Sequence, residues 1–163
     1  MDEITISSVS RDAFPAIWSI LESTVRDGLV YALDRDMTFD AAENYWFAPS
    51  HRVFAAKQGG EIVGSYFLRP NAHGGGAHVA NAGFVTAPAH RSRGIARAMG
   101  EHCVAQARAL GFRAIQFNFV IAANVRAVNL WRSLGFGIVG TLPAAFVLPD
   151  GSSSDVYVMF KVV

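Results

Sequence analysis

The residues best suited to chemistry form one short turn, Arg91-Ser92-Arg93-Gly94-Ile95-Ala96, set between the apolar run Gly83-Phe84-Val85-Thr86 and a helical pattern that starts at Ile95. The first amides of a helix have no internal acceptor and lie at the positive end of its dipole. A glycine at the helix entry and the small Ala96 in its first turn keep that backbone open to a ligand. Two arginines beside such a nest suit a pyrophosphate, cradled by the N–H groups of Arg93, Gly94, Ile95 and Ala96. A plain helix entry flanked by solvated arginines accounts for the same local spacing.

Four asparagines make a second set. Asn81 and Asn118 lie in apolar, strand-like runs, Asn124 opens a later helical segment and Asn129 follows within it. A carboxamide donates and accepts, so the two strand asparagines need partners, either in the core or on a bound polar molecule. Asn124 also reads as a helix cap and Asn129 as a helix-surface residue. Cys103 shares an apolar helix face with Met99 and Gln106 and has no visible activating base, which makes it an inert core thiol. His73 and His78 flank a flexible glycine loop with no cysteine or carboxylate to complete a ligand set, so no metal site is predicted.

Alternating elements must position these groups. Residues 4–9 read as a strand. A helix follows, capped by Asp12, with Pro15 in its first turn and Ile17, Trp18 and Leu21 on its apolar side. Thr38 caps a second helix running to Phe47. Strands 52–57 and 61–68 flank Gly59-Gly60, a tight-hairpin signal. A glycine loop at 70–77 leads into a strand at 78–86, then come a helix at 95–110, a strand at 112–120, a helix at 125–134 and a strand at 136–142. The strand–helix–strand–helix order implies right-handed crossovers. The last run, 155–163, alternates with Val156, Val158, Phe160 and Val162 on one face, as a half-buried edge or hairpin strand does.

Composition narrows the class. The chain has 163 residues, 52% of them apolar, which fits one domain with one core. Fourteen basic and thirteen acidic residues leave a net charge of +1, against a general polyanion binder, and no aromatic interleaving supports nucleic-acid binding. A single cysteine excludes an intramolecular disulfide framework and points to a reducing environment. The acidic, alternating amino terminus has no signal-peptide pattern, and no window of 18 consecutive apolar residues exists, so a soluble cytoplasmic protein with no membrane partner is expected. NAD and nucleoside triphosphates are disfavoured because neither GxGxxG after the first strand nor a Walker Lys-Ser/Thr pair is present.

The turn Arg91-Ser92-Arg93-Gly94-Ile95-Ala96 matches the acetyl-coenzyme A signature of the GCN5-related N-acetyltransferases (GNAT): Arg or Gln, two residues, Gly, one residue, then Gly or Ala. Residues 124–136, Asn124 to Phe136, resemble a second segment of that family in the expected order, and the resemblance covers most of the chain. It implies an α/β single-domain GNAT fold over residues 1–163: a mixed twisted sheet, antiparallel at first, with a central parallel pair that opens at the cofactor site and helices on both faces. It also implies acetyl-CoA as cofactor. Backbone groups of Phe84, Val85 and Thr86 would hold the pantetheine arm, the 91–96 turn the pyrophosphate, and Asn124 and Asn129 further parts of the cofactor.

Two departures from the family pattern matter. The tyrosine able to protonate the leaving thiolate would fall at position 131, which is Trp131, so that ring is assigned to the wall of the substrate pocket. Asn81 stands where an acidic base is expected, and His78 faces away in a regular strand. Runs 78–84 and 116–120, with Asn124 and Thr141-Leu142-Pro143, resemble a branch that acetylates proline-like amino acids such as azetidine-2-carboxylate. In that scheme Asn81 and Asn118 orient a small amine, and Asn118 and Asn124 assist acetyl transfer as amide donors while water takes the proton. A peptide or protein amine as acceptor, or a non-enzymatic coenzyme-A sensor, shares the same features. A second copy of the chain is a further partner, through residues 146–148 and the terminal strand, although a core role explains them equally well.

Overall fold

The computed structural model describes residues 3–163. Seven strands form one sheet in the order β1-β2-β3-β4-β5-β7-β6. The strands are β1 (Thr5–Ser8), β2 (Arg52–Gln58), β3 (Glu61–Pro70), β4 (Val79–Thr86), β5 (Ala114–Ile121), β6 (Gly137–Val147) and β7 (Ser153–Val162). All neighbours pair antiparallel except β4 and β5, which are parallel. Helices α1 (Phe14–Asp27) and α2 (Phe39–Trp46) precede the β2–β3 hairpin, α3 (Ile95–Ala109) links β4 to β5, and α4 (Val125–Ser133) links β5 to β6.

Most elements arise where the local chemistry demands them. Thr38 accepts from the Ala41 amide at 3.2 Å and caps α2. Gly59 and Gly60 both take positive φ in the hairpin turn, where a side chain would be strained. Asp12 does not cap α1: it lies in a 3-10 turn, and α1 starts behind Ala13 without a side-chain cap, Pro15 occupying a position whose N–H has no helical acceptor anyway.

The single core expected from chain length takes the form of two apolar layers on opposite faces of one sheet. Phe14, Ile17, Leu21 and Trp46 of α1 and α2 pack on Val53, Phe67 and Val85. Met99, Cys103, Val128 and Trp131 of α3 and α4 pack on Tyr66, Ile115, Phe117 and Met159. Helices on both faces of a mixed sheet are the architecture that the family resemblance implied.

The carboxy-terminal hairpin departs from the sequence reading in two respects. β7 lies between β5 and β6, so it is an interior hairpin strand and β6 is the edge. Its α3/α4-facing side carries Tyr157 and Met159, which pack with Phe117 and Ile138; on the expected apolar face Val156 is fully buried, Val158 and Phe160 are half-buried and Val162 is left 74% exposed. Alternation alone cannot tell which face of an interior strand the helices cover, and the apolar face was chosen by residue type. β6 also runs past Leu142 to Val147, because an irregularity between Leu142 and Phe146, with Ala144 at φ 49°, lets the pairing resume beyond Pro143.

Two stability measurements check this packing. A Cβ on Gly83 would come within 2.6 Å of the Phe67 ring, which is buried and stacked on His51, so Gly83→Ala is expected to lower unfolding free energy by about 1–3 kcal/mol in urea titration. Burial lowers the pKa of His102, whose Nδ1 lies 2.7 Å from the Tyr66 hydroxyl, and burial likewise lowers that of His51. The unfolded chain therefore binds protons first, and stability, fully present above the ordinary histidine value of about 6.5, is expected to fall as pH drops through and below it. His102→Asn should flatten part of that decline in thermal melts taken between pH 7 and 5.

Candidate functional site

β4 and β5 are each eight residues long, yet only Val79–Ala114 and Ala80–Ile115 pair across the parallel joint. Just before these pairs the Arg113 amide donates to the His78 carbonyl at 2.8 Å. Just after them the side chain of Asn81 takes over: its Nδ2 donates to the Gln116 carbonyl at 2.9 Å, in place of a ladder bond. No further backbone pairing joins the two strands among the described residues, so a cleft opens from Asn81 onward.

The edge of β4 facing this cleft can be read from hydrogen-bond parity. Asn71 N–H donates to Val79 O and Ala87 N–H to Val63 O, each at 2.8 Å, and the register between β3 and β4 is unbroken. Odd-numbered residues of β4 thus bond β3, and alternation turns the backbone of Ala82, Phe84 and Thr86 toward the opening. Phe84 and Thr86 offer polar backbone groups there, whereas Val85 bonds β3 and buries its side chain. The Tyr31 hydroxyl, on the loop after α1, donates to the Phe84 carbonyl. Burial, aided by the nearby Tyr45, holds the Tyr31 pKa well above its ordinary value, so this hydroxyl keeps its proton.

A 3-10 turn at Pro88–His90 carries the chain from β4 to the entrance of α3. Ser92 takes φ 64° and Gly94, at the N-cap, φ 81° with no side-chain cap. The first intrahelical bond runs from Ala98 to the Gly94 carbonyl, leaving the Ile95, Ala96 and Arg97 amides without helical acceptors. A Cβ on Gly94 would meet nothing within 4 Å, so the space beside the turn is open. Arg91 and Arg93 are exposed there, and Arg126 from α4 donates to Ser92 Oγ at 2.5 Å, bringing in a third guanidinium. A pyrophosphate fits this set of free amides, open volume and cations.

A polar patch lies on the sheet face that carries α1 and α2. Gln116 and Asn118 alternate with core-facing Ile115 and Phe117, so they project to that face. Gln116 Nε2 donates to Asn118 Oδ1 at 2.9 Å, and Asn118 Nδ2 donates to Asn71 Oδ1 at 2.7 Å. Asn118 was expected to be embedded in an apolar strand; it is exposed, beside an irregularity in β5 between Phe117 and Val120 that breaks the alternating burial.

The acetyltransferase (GNAT) family model matches residues 14–136 of this chain. The chain belongs to that family. It is similar to a GCN5-related N-acetyltransferase from Kribbella flavida, with 38% identity, a TM-score of 0.93 and 98% of each chain covered. It is also 29% identical to the N-acetyltransferase aca1 of Schizosaccharomyces pombe, over 89% of this chain and 77% of that protein. The fold matches, at 18% identity and a TM-score of 0.87, a GNAT superfamily phosphinothricin acetyltransferase from Sinorhizobium meliloti in complex with acetyl-CoA, over 98% of this chain and 88% of that one.

Within this GNAT domain the sequence-selected residues separate into groups. Asn81 and Asn118 share a face, linked through Gln116. Trp131 sits on the opposite face, 8% exposed, with ring centroids 4.8 Å from Phe84 and 4.7 Å from Phe117, as part of the α3/α4 core. Asn124 caps α4, its Oδ1 accepting from the Ala127 amide at 3.3 Å, and Asn129 lies exposed farther along that helix. His78 is exposed in a turn, and Cys103 is buried with its pKa raised by desolvation. Among the described residues no group of three or more His, Cys, Asp and Glu side chains is placed to hold a metal ion.

Sequence reasoning missed Tyr31, Asn71, Gln116 and Arg126. The alternation of Gln116 with Asn118 was a usable signal for one of them; Tyr31 and Arg126 reach the site only through tertiary packing. Asn81→Leu tests the joint itself. It would leave the Gln116 carbonyl without its donor, and unfolding free energy is expected to drop by about 1–3 kcal/mol in urea titration.

Proposed function

We propose that this protein transfers the acetyl group of acetyl-CoA to the amine of a small molecule, of the amino-acid or proline-analogue class. One observation carries the reading: the β4/β5 opening, lined by the Phe84 amide and the backbone of Thr86 on the unpaired edge of β4, leads into the uncapped entrance of α3 with its arginines. Family membership and the Kribbella flavida likeness support it, as does the acetyl-CoA complex of the Sinorhizobium meliloti fold relative.

In this reading the amides of Ile95, Ala96 and Arg97, with Arg91, Arg93 and Arg126, hold the pyrophosphate of the cofactor. The Phe84 amide and the Thr86 backbone pair with its pantetheine arm, and Val85 contributes packing. Acetyl-CoA supplies an activated acyl carbonyl with a thiolate leaving group. Asn81, Asn118 and Gln116 present carboxamides beside the opening, where they orient the acceptor by hydrogen bonds without changing charge. Tyr31 supplies a protonated hydroxyl at the Phe84 carbonyl. Trp131 shapes the opposite wall through Phe84, and Asn124 fixes the start of α4. None of these groups is a carboxylate base, so the acceptor attacks as the neutral amine and water removes the proton.

The exposed edge strand β6, with Val139 64% and Val147 67% exposed, is the surface by which a second copy of the chain would dock. The central test mixes the protein with acetyl-CoA and a panel of amino acids, proline analogues including azetidine-2-carboxylate, and amino-terminal peptides, reading free thiol and acetylated product together. Turnover confined to peptides selects the peptide reading; cofactor binding without turnover selects a sensor. Arg91→Ala is expected to raise the KM for acetyl-CoA about tenfold with kcat nearly unchanged, and Asn118→Ala to lower kcat about tenfold with little change in that KM. Equal effects on both constants from the two variants would overturn this division of roles.

A further inference from the structure

Arg69 is a half-buried charge with no carboxylate beside it among the described residues. It lies on β3 with Asn81 as its register partner on β4, and Phe67, two residues earlier, packs over Gly83 on the α1/α2 face. Strand alternation therefore places Arg69 on the same face as Asn81, Gln116 and Asn118, at the level where the β4/β5 joint ends. Its guanidinium is partly buried, and its hydrogen bond is a long one, 3.4 Å from Nη1 to the Pro70 carbonyl. Of the twelve arginines, Arg26 and Arg69 are the half-buried ones; Arg26 faces Glu22, whereas no carboxylate pairs with Arg69 among the described residues.

Its surroundings do not neutralise it. Tyr45 and His51 both feel the Arg69 charge; burial raises the pKa of Tyr45 and lowers that of His51, so both stay neutral near pH 7. Asn71, Asn81, Gln116 and Asn118 contribute only carboxamides. A guanidinium drawn partly out of water keeps most of its five donors in a planar fork, the geometry that matches a carboxylate through two parallel bonds. A partly desolvated cation without a counter-charge is less favourable than a paired one, and an anionic ligand supplies the missing charge.

We propose that Arg69 anchors the carboxylate of the acceptor, so that the substrates are free α-amino acids. Register partners in this kind of antiparallel pair lie about 5.5 Å apart between Cα atoms. An α-amino acid whose carboxylate rests on the Arg69 fork thus presents its amine, two bonds away, at the Asn81 end of the opening. Peptide amino termini and amino-acid amides have no carboxylate at that distance. The inference rests on the small-amine acetyltransferase reading and adds to it the side chain that selects a free carboxylate.

The experiment compares α-amino acids, proline and azetidine-2-carboxylate among them, with their carboxamides as acceptors for the wild type, Arg69→Met and Arg69→Lys. Binding of the same pairs to the coenzyme-A-loaded protein is followed by calorimetry. The wild type is expected to favour the best acid over its amide by about 100-fold in kcat/KM, Arg69→Met to bring that ratio near one, and Arg69→Lys, which keeps the charge without the fork, to fall between. Coenzyme-A binding by each variant verifies that it folds. A wild-type acid-to-amide ratio near one, or an unchanged ratio in Arg69→Met, overturns the anchor. If nothing turns over, the acetyltransferase reading fails by itself, and the anchor is still decided by calorimetry: acid-selective binding lost in Arg69→Met sustains it, and binding indifferent to the carboxylate sinks it.

Discussion

The parting of β4 from β5 after two residue pairs is the constraint on which the rest of the molecule depends. A sheet interior normally satisfies every backbone donor and acceptor, and an unpaired buried one is costly. Here the inner edge of β4 is left open over Ala82, Phe84 and Thr86, so those groups must meet solvent, a side chain or a ligand. Tyr31 already satisfies the Phe84 carbonyl. The joint holds because Asn81 extends it by a side-chain bond to Gln116, and because α3 packs against β3, β4 and β5 together and so braces both sides of the opening. The same helix begins at the Gly94 turn. Bracing the split sheet and presenting free amides at the mouth of the split are therefore consequences of one placement of α3.

The two faces of the sheet then divide the work. On the α3/α4 face, Phe84, Phe117, Trp131 and Phe136 form a packed aromatic group with centroid separations between 4.5 and 6.1 Å, which makes that wall apolar. On the other face, the α1/α2 layer includes Phe67 and Val85, and the surface around the joint carries amides and Arg69. A thioester needs apolar surroundings and an amine needs hydrogen-bond partners. A split in a sheet with unlike faces places the two environments on either side of one opening.

Legibility in the sequence followed the range of the interactions involved. The Gly59-Gly60 hairpin, the Thr38 cap and the α3 entrance are set by a few consecutive residues, and the structure has them where the sequence indicated. The β5–β7–β6 order was not legible, because inserting the final strand between two earlier ones depends on which edge is free after α4 packs. Asn118 shows the same limit: type and neighbours suggested a buried amide, but the irregularity at Phe117–Val120 exposes it. Trp131 was grouped with Asn81 and Asn118 through the family pattern, and only the assembled sheet reveals that these residues occupy opposite faces. Arg69 belongs to no local motif; its half-buried place beside Asn81 exists only in the assembled sheet.

The missing counter-charge of Arg69 bears on the proton problem. An amino acid in water holds its amine as the ammonium partly because its own carboxylate lies beside it. On a surface of carboxamides with no acidic side chain, a guanidinium that pairs with the carboxylate removes this internal stabilisation, and partial desolvation disfavours the ammonium further. The neutral, nucleophilic amine then becomes easier to reach without any residue accepting the proton directly. A glutamate at position 81 would act in the opposite sense before it acted as a base, because a carboxylate beside the amine stabilises its charged form. In the proposed reading, asparagine at this position suits a site that lowers the amine pKa through its surroundings and leaves proton removal to water.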